Sequence, residues 1–400
     1  MGSPPMVTRT NSTARLLGVA ASTLALATGA TALPSGPAHA ADTITAADQP
    51  YYAYYHLDQA RAKGYTGQGV TIALLDGEVD TTAPELTGAT ITDKTPCTVT
   101  SSSASKRHGT AVASILVAPA YGVAPQASVL TYRTAVTKAG DTRGDDCRGT
   151  YGADVAGHAA LINHAINDGA QIISISETGT SDIKWAVAHA LSRGVVVVAG
   201  AGNEGEDVFS TNSLDRWSGV VGVGAITTEG VPTAYSSKGQ GVTTAALGGP
   251  VLARNYESGQ NEPANGTSMA TPMVAGFLAL ARQKWPDATA NQLLQLLTKT
   301  ALNNEGAWNP YTGYGVASLG AMLSTDPSQY PDENPLMDKG GGLAPSPTAE
   351  EVRLYADGLV SPSEIKEDSS YVYRGLDESQ LKAATNSYPT HIGTSPRYHR

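Results

Sequence analysis

Val70-Thr71-Ile72-Ala73-Leu74-Leu75-Asp76 is a β-branched, apolar run closed by a single carboxylate. Such a run reads as a strand buried on both faces, the situation of a parallel sheet flanked by helices. Five more runs read the same way: Ser128–Thr134, Ile172–Ser176, Val195–Ala199, Val220–Ile226 and Thr243–Leu247. Helical patterns lie between and after them, at His108–Val117, Ala153–Asp168, Asp182–Ser192 with Ser181 as its cap, Thr267–Lys284 and Ala290–Ala301. This alternation predicts an α/β fold of three layers, a central mostly parallel sheet with helices on both faces. In such sheets the carboxyl ends of the strands face the ligand crevice, and Asp76 stands at one of them.

The chain has 400 residues, a formal net charge of −10 and no concentrated basic run. That balance argues against a nucleic-acid or anionic-membrane partner, which needs a basic face. Arg9 and Arg15 precede an apolar, small-residue stretch from Leu16 to Leu33, and Ala38-His39-Ala40 follows with a small-x-small pattern. Residues 1–40 therefore read as an export signal cleaved after Ala40. Ser, Thr and Gly dilute the stretch too much for a membrane span, so the mature chain is expected to be extracellular and unanchored; it is also expected to be a monomer. In an oxidising compartment Cys97 and Cys147 are expected to form one disulfide, the alternative being two buried thiols. Residues 41–64 read as a short N-terminal extension and 65–324 as the main domain. Beyond it, Asp326-Pro327, Gly340-Gly341-Gly342 and Pro345-Ser346-Pro347 break any regular pattern, and 325–400 is expected to be a polar, disordered tail.

Two strings place reactive side chains near helix starts. Asn265-Gly266-Thr267-Ser268-Met269-Ala270-Thr271-Pro272 puts a hydroxyl where free N–H groups and the helix dipole favour developing negative charge. His108-Gly109-Thr110-Ala111-Val112-Ala113-Ser114 opens a second helix after a Ser-rich loop. Amide hydrolysis by a hydroxyl needs an imidazole to take its proton, a carboxylate to orient the imidazole, and donors for the oxyanion. Ser268, His108 and Asp76 are the candidates for the first three roles. Gly200-Ala201-Gly202-Asn203-Glu204-Gly205 follows a strand and has the spacing of a dinucleotide fingerprint, but no helical stripe follows it, so nucleotide binding is set aside.

Gly-Thr-Ser-Met-Ala-Thr-Pro-Met-Val-Ala-Gly around Ser268 resembles the active-serine signature of the subtilisin-like serine peptidases (subtilases), and the His108 string resembles their histidine motif. The chain order Asp, His, Ser is that of subtilisin. The resemblance covers about Gln59 to Leu323. It implies a subtilisin-like fold and a serine-type endopeptidase working through Asp76, His108, Ser268 and an acyl-enzyme, with Asn203 and the Ser268 N–H forming the oxyanion hole. It also implies that a protein or peptide substrate lies as an added strand along 174–179 and 199–202, with Ser176, Glu177 and Gly200 as binding residues. Glu177 in that cleft would either favour Lys or Arg in the substrate or be solvated. No cofactor and no metal ligand set is implied; calcium, which subtilases often bind through scattered oxygens, is not readable in the sequence. His158 and His164, six apart on a helix, share no face and read as structural.

Within the family the resemblance is to the mycosin-like group of actinobacterial exported peptidases, carried by Gly122-Val123-Ala124-Pro125, by Ile172-Ile173-Ser174-Ile175-Ser176-Glu177, by the cysteine-flanked histidine region and by the short N-terminal extension. Mycosins carry a C-terminal membrane helix, and no such stretch is present here. Residues 41–64 are too few for the folded inhibitory prodomain of many subtilases. The sharpest departure is Asp76-Gly77-Glu78-Val79, where the family has Asp-Thr-Gly or Asp-Ser-Gly. The missing hydroxyl removes about 0.5–1.5 kcal/mol if its hydrogen bond is not replaced. Glu78 would add roughly 1–2 kcal/mol of strain if its backbone must be left-handed. A subtilase that binds peptides or a partner without cutting them is the alternative this departure raises.

Overall fold

A computed structural model describes residues 43–134, 138–149, 154–177, 182–206, 213–303, 306–339, 346–377 and 379–380, together with Gly2. The expected export signal, Ser181, and Thr178 and Gly179 of the expected cleft lie outside the described residues. The opening run forms β1 (Thr71–Asp76), preceded by α1 (Pro50–Tyr54) and α2 (Leu57–Ala62). Then follow β2 (Thr90–Asp93), β3 (Val99–Thr100), α3 (Ser103–Val117), β4 (Ser128–Arg133), β5 (Thr142–Arg143), α4 (His158–Asn167), β6 (Ile172–Ile175) and α5 (Lys184–Ser192). The sheet continues with β7 (Val196–Gly200), β8 (Val221–Ile226) and β9 (Val242–Leu247), and a hairpin of β10 (Val251–Arg254) and β11 (Asn261–Ala264) leads into α6 (Thr267–Lys284). The remaining helices are α7 (Ala290–Lys299), α8 (Leu319–Met322) and α9 (Ala349–Ala356).

Seven strands form one sheet in the order β2-β4-β1-β6-β7-β8-β9, each pair parallel. Successive side chains of a strand point to opposite faces, and here both faces are dry. Ile72 and Leu74 pack with α3, α6 and α7, whereas Ala73 and Leu75 pack with α4 and α5. This double burial is why β1 reads as an unbroken apolar run. Among the described residues no helix is long and apolar enough to cross a membrane.

Two boundaries differ from the sequence reading. α3 begins at Ser103, not at His108, because the Ser102 hydroxyl accepts from the Ser105 N–H and caps the helix. His108 therefore sits in its second turn. The second difference is the tail. α9, with a reciprocal capping box between Thr348 and Glu351, packs on α5, and Tyr355, Val360, Ile365, Tyr371 and Tyr373 close a cluster over Ala188. The Tyr371 hydroxyl donates to the Val360 carbonyl at 2.8 Å, and that of Tyr355 donates to Asp368. Disorder was expected because these tyrosines follow no period; each buries its ring, and Tyr355 and Tyr371 satisfy their hydroxyls. Residues 381–400 lie outside the described residues.

At the other end the extension is part of the main core. Ile44, Tyr51, Tyr55 and Leu57 are buried in the core that α3 and α6 share, and the Tyr55 ring meets Phe277 of α6 edge-on at 4.7 Å. The Tyr55 hydroxyl accepts the Leu247 N–H at 2.9 Å, and the Gln49 amide makes two bonds to the Leu252 backbone.

Candidate active site

The parallel register brings the ends of β4, β1 and β6 side by side, with Asp76 opposite Arg133 and Leu75 opposite Ile175. Asp76 is 1 % exposed, and its Oδ1 accepts from both the His108 Nδ1 (2.7 Å) and the Gly77 N–H (2.7 Å). With Nδ1 thus engaged, Nε2 of the neutral ring is the free base. Asp76 Oδ2 is buried and has no hydrogen-bond partner among the described residues. The reason the usual hydroxyl is absent is steric. A Cβ on Gly77 would lie 2.4 Å from the Ser105 carbonyl oxygen, and one on Gly109 would lie 2.5 Å from the Gly77 oxygen. The first turns of α3 press directly onto the aspartate turn, and two glycines permit it.

Glu78 does not carry the strain considered for it. Its φ is not positive, since His56 is the sole non-glycine residue with positive φ among the described residues. Its N–H donates to Ser101 Oγ, and its carboxylate bridges Lys106 (3.2 Å) and Arg133 (3.3 Å). The side chain ties the turn to α3 and β4.

Ser268 lies in the first turn of α6. Pro272 has no N–H, so the Ser268 carbonyl loses its intrahelical partner four residues on. Ser176 Oγ fills the gap, donating to that carbonyl at 3.0 Å, while Ser268 Oγ donates to the Ser176 carbonyl at 2.9 Å. The proline thus creates a reciprocal clasp between the end of β6 and the candidate nucleophile. Among the described residues no hydrogen bond joins Ser268 to His108. Asn203 Oδ1 accepts the Thr267 N–H at 2.8 Å, and no acceptor for its Nδ2 is present among the described residues. Gly266, at φ 147°, lets the chain pass so close that a Cβ there would meet the Asn203 amide at 3.3 Å. Gly200 is buried with Thr267 and Thr271 hydroxyls at 3.2 Å from where a Cβ would sit, which holds β7 tight against α6.

Burial pushes the Asp76 carboxyl above its ordinary value, His108 pulls it back, and the neighbouring Glu177 carboxylate adds to the push. For His108 burial works against the charged ring, but the Asp76 charge and hydrogen bond outweigh it and Glu177 assists, while Lys138 opposes. The net direction is upward, toward a stronger base. Glu177 itself turns inward: its side chain is 9 % exposed and its Oε2 lies 3.5 Å from His158 Nε2. Despite burial, His158 holds the Glu177 carboxyl below its ordinary value. A basic substrate side chain would have to displace His158 to reach it.

These elements have known counterparts. The Subtilase family profile matches residues 67–315. The chain belongs to the subtilase family. This subtilase is 31% identical to Subtilisin DY of Bacillus licheniformis over 278 residues, 66% of this chain and 94% of that protein. It is 28% identical over 344 residues to Mycosin-1 of Mycolicibacterium smegmatis, covering 73% and 76% of the two chains. The crystal structure of MycP1 from Mycobacterium smegmatis superposes with a TM-score of 0.59 at 26% identity, over 72% of this chain and 87% of that one. The fold is subtilisin-like, the family resemblance and its mycosin-like leaning both hold, and the protein is a serine-type endopeptidase acting on protein or peptide substrates.

In this subtilase Cys97 and Cys147 are bonded, with Cα atoms 5.1 Å apart, and the bond secures the β3–β5 ribbon beside α3. Three contributors have roles that the sequence did not show. Pro272 acts through a bond it removes, His158 through a partner in another element, and Asp141 through loop closure. The Asp141 carboxylate accepts from the Ser102 N–H (2.7 Å), Ser105 Oγ (2.7 Å) and the Lys138 N–H (2.8 Å), pinning the loop after β4 to the start of α3. Among the described residues no cluster of three or more His, Cys, Asp or Glu could hold a metal.

Proposed function

We propose that this subtilase is an exported endopeptidase whose catalytic residues are Asp76, His108 and Ser268. The observation that carries the reading is the 2.7 Å bond from His108 to a buried Asp76, on a helix packed against the one that bears Ser268. Rotation of the Ser268 side chain away from the Ser176 carbonyl directs Oγ at the substrate carbonyl. As the Oγ–C bond forms, the hydroxyl proton passes to His108 Nε2, and Asp76 stabilises the imidazolium. The oxyanion is received by Asn203 Nδ2 and the Ser268 N–H, donors held in place before the charge develops. His108 then gives its proton to the leaving amine as the C–N bond breaks. Water attacks the acyl-enzyme, returning a proton through His108 to Ser268. The substrate backbone pairs along the ends of β6 and β7, near Ser176, Glu177 and Gly200.

Labelling by a fluorophosphonate probe tests this reading. The protein secreted into the medium is expected to label promptly and to cleave casein, and Ser268→Ala is expected to do neither. A folded wild-type protein that neither labels nor cleaves would refute this reading, in favour of the alternative of binding without cutting.

A further inference from the structure

A cavity of about 360 Å³ opens beside His108, which lines it together with Met269, Asn265, Arg107, Lys138 and Glu257. Asn203, Ser176 and Gly200 do not line it. In the reading proposed above, the leaving amine takes its proton from His108, while the acyl oxygen faces Asn203. A space that adjoins the imidazole and not the oxyanion donors is placed to receive the part of the substrate C-terminal to the cut bond.

The backbone that carries the charges of this cavity is held by the fold. Lys138 makes no ion pair among the described residues, but its backbone is not loose: its N–H is held by the Asp141 carboxylate, which also grips Ser102 and Ser105 at the start of α3. The same loop continues into β5 and is anchored by the Cys97–Cys147 bond. Arg107, one residue before His108, meets Glu262 of β11 at 3.2 Å, so it spans the cavity between helix and hairpin. Glu262 is occupied further by Asn255 and Ser258. Arg107, Lys138 and Glu257 thus line one space, and among the described residues Lys138 has no anion on it, in a chain whose overall charge is −10.

We propose that this cavity is the leaving-side subsite and that Arg107 and Lys138 make it select a carboxylate, supplied by an Asp or Glu side chain or by the substrate's own C-terminus. The inference rests on the peptidase reading and deepens it: it names the substrate class as peptides acidic just after the scissile bond. Within hydrogen-bond reach, a partly exposed ion pair discriminates a carboxylate from its amide by about five-fold.

Competition for the acyl-enzyme tests it. The protein is acylated with a peptide ester, and glutamic acid amide and glutamine amide compete with water to capture the acyl group. Glutamic acid amide is expected to be captured about five times better, and Arg107→Gln together with Lys138→Gln is expected to bring the ratio close to one. Lys138→Glu, a change at an exposed side chain, is expected to invert the preference. Lys94→Gln, remote from the cavity, is expected to leave the ratio as in the wild type. A peptide ending in a free carboxylate two residues past the bond, compared with its C-terminal amide, separates the two carboxylate sources, and a preference for either supports the subsite. Equal capture by the wild type, an unchanged ratio in the double variant, or an acid preference confined to positions before the scissile bond would each overturn it. A wild-type protein that forms no acyl-enzyme refutes instead the peptidase reading on which it rests.

Discussion

Restoring the family's residue at position 77 is expected to damage this enzyme. In Gly77→Ser the new Cβ would stand 2.4 Å from the Ser105 carbonyl oxygen and 2.7 Å from its carbon, where ordinary contact begins at 3.4 Å. The obstacle is helix backbone, so α3 must withdraw by about 1 Å, at an overpacking cost of roughly 1–3 kcal/mol. His108 lies three residues further along that helix and must hold its bond to Asp76. A displacement of about 1 Å in a catalytic group lowers turnover on the order of 10²-fold. A hydroxyl offered to the unpartnered Asp76 Oδ2 returns only about 0.5–1.5 kcal/mol, less than the displacement removes. The assay is kcat on a chromogenic peptide anilide together with thermal unfolding, for Gly77→Ser and Gly77→Ala. Both variants are expected to melt lower and turn over far more slowly, by similar amounts, because both carry the Cβ. A Gly77→Ser protein that melts with the wild type and works as fast or faster would refute the reasoning.

Three further outcomes are expected. Asn203→Ala should lower kcat by about 10²–10³, the magnitude known for the corresponding donor in the related subtilisin, with KM little changed; steady-state kinetics on the anilide reads this, and a loss confined to KM contradicts the oxyanion role. Replacing both Cys97 and Cys147 by Ala frees an unfolded-state loop with a sequence separation of 50. That should destabilise by up to about 4 kcal/mol and, for a folded unit of roughly 330 residues, lower Tm by about 6 °C in calorimetry; an unchanged Tm contradicts it. Asp141, despite the burial that opposes its charge, is held at a pKa of about 2 by Ser102, Ser105 and the Lys138 N–H, against an ordinary 3.8. Its folded pKa lies below the unfolded one, so its stabilisation is complete above the ordinary value and is lost as pH falls toward 2. Asp141→Asn should flatten the dependence of Tm on pH across that window, and a parallel curve would show that the carboxylate does not titrate with folding.

What could be read along the chain was what is local. β1 and its neighbours declare themselves because both faces are dry, and Ser268 and His108 because their strings are dictated by close backbone approaches within one turn. The aspartate turn was readable only as a departure: its cause is Ser105, 28 residues away from Gly77, pressed against it by α3. Glu177 sits as expected at the end of β6, but the direction of its side chain is set by His158 on another element. The tyrosines of the C-terminal cluster were illegible for a different reason. They come from separate short segments and meet in one cluster over α5, so no period marks them.

The burial of Tyr51, Tyr55 and Leu57 has a practical corollary for anyone delimiting this enzyme. The family profile spans 67–315, yet the cooperative unit does not begin there. A polypeptide cut to those limits would leave the greasy socket for three large side chains open to water, deprive the Leu247 N–H of its acceptor at an outer strand of the sheet, and strip the tyrosine cluster from α5. Sequence homology marks the shared catalytic chassis. The compact unit is that chassis together with its own N-terminal and C-terminal wrappings, and it is the longer object that has to be expressed, melted and mutated.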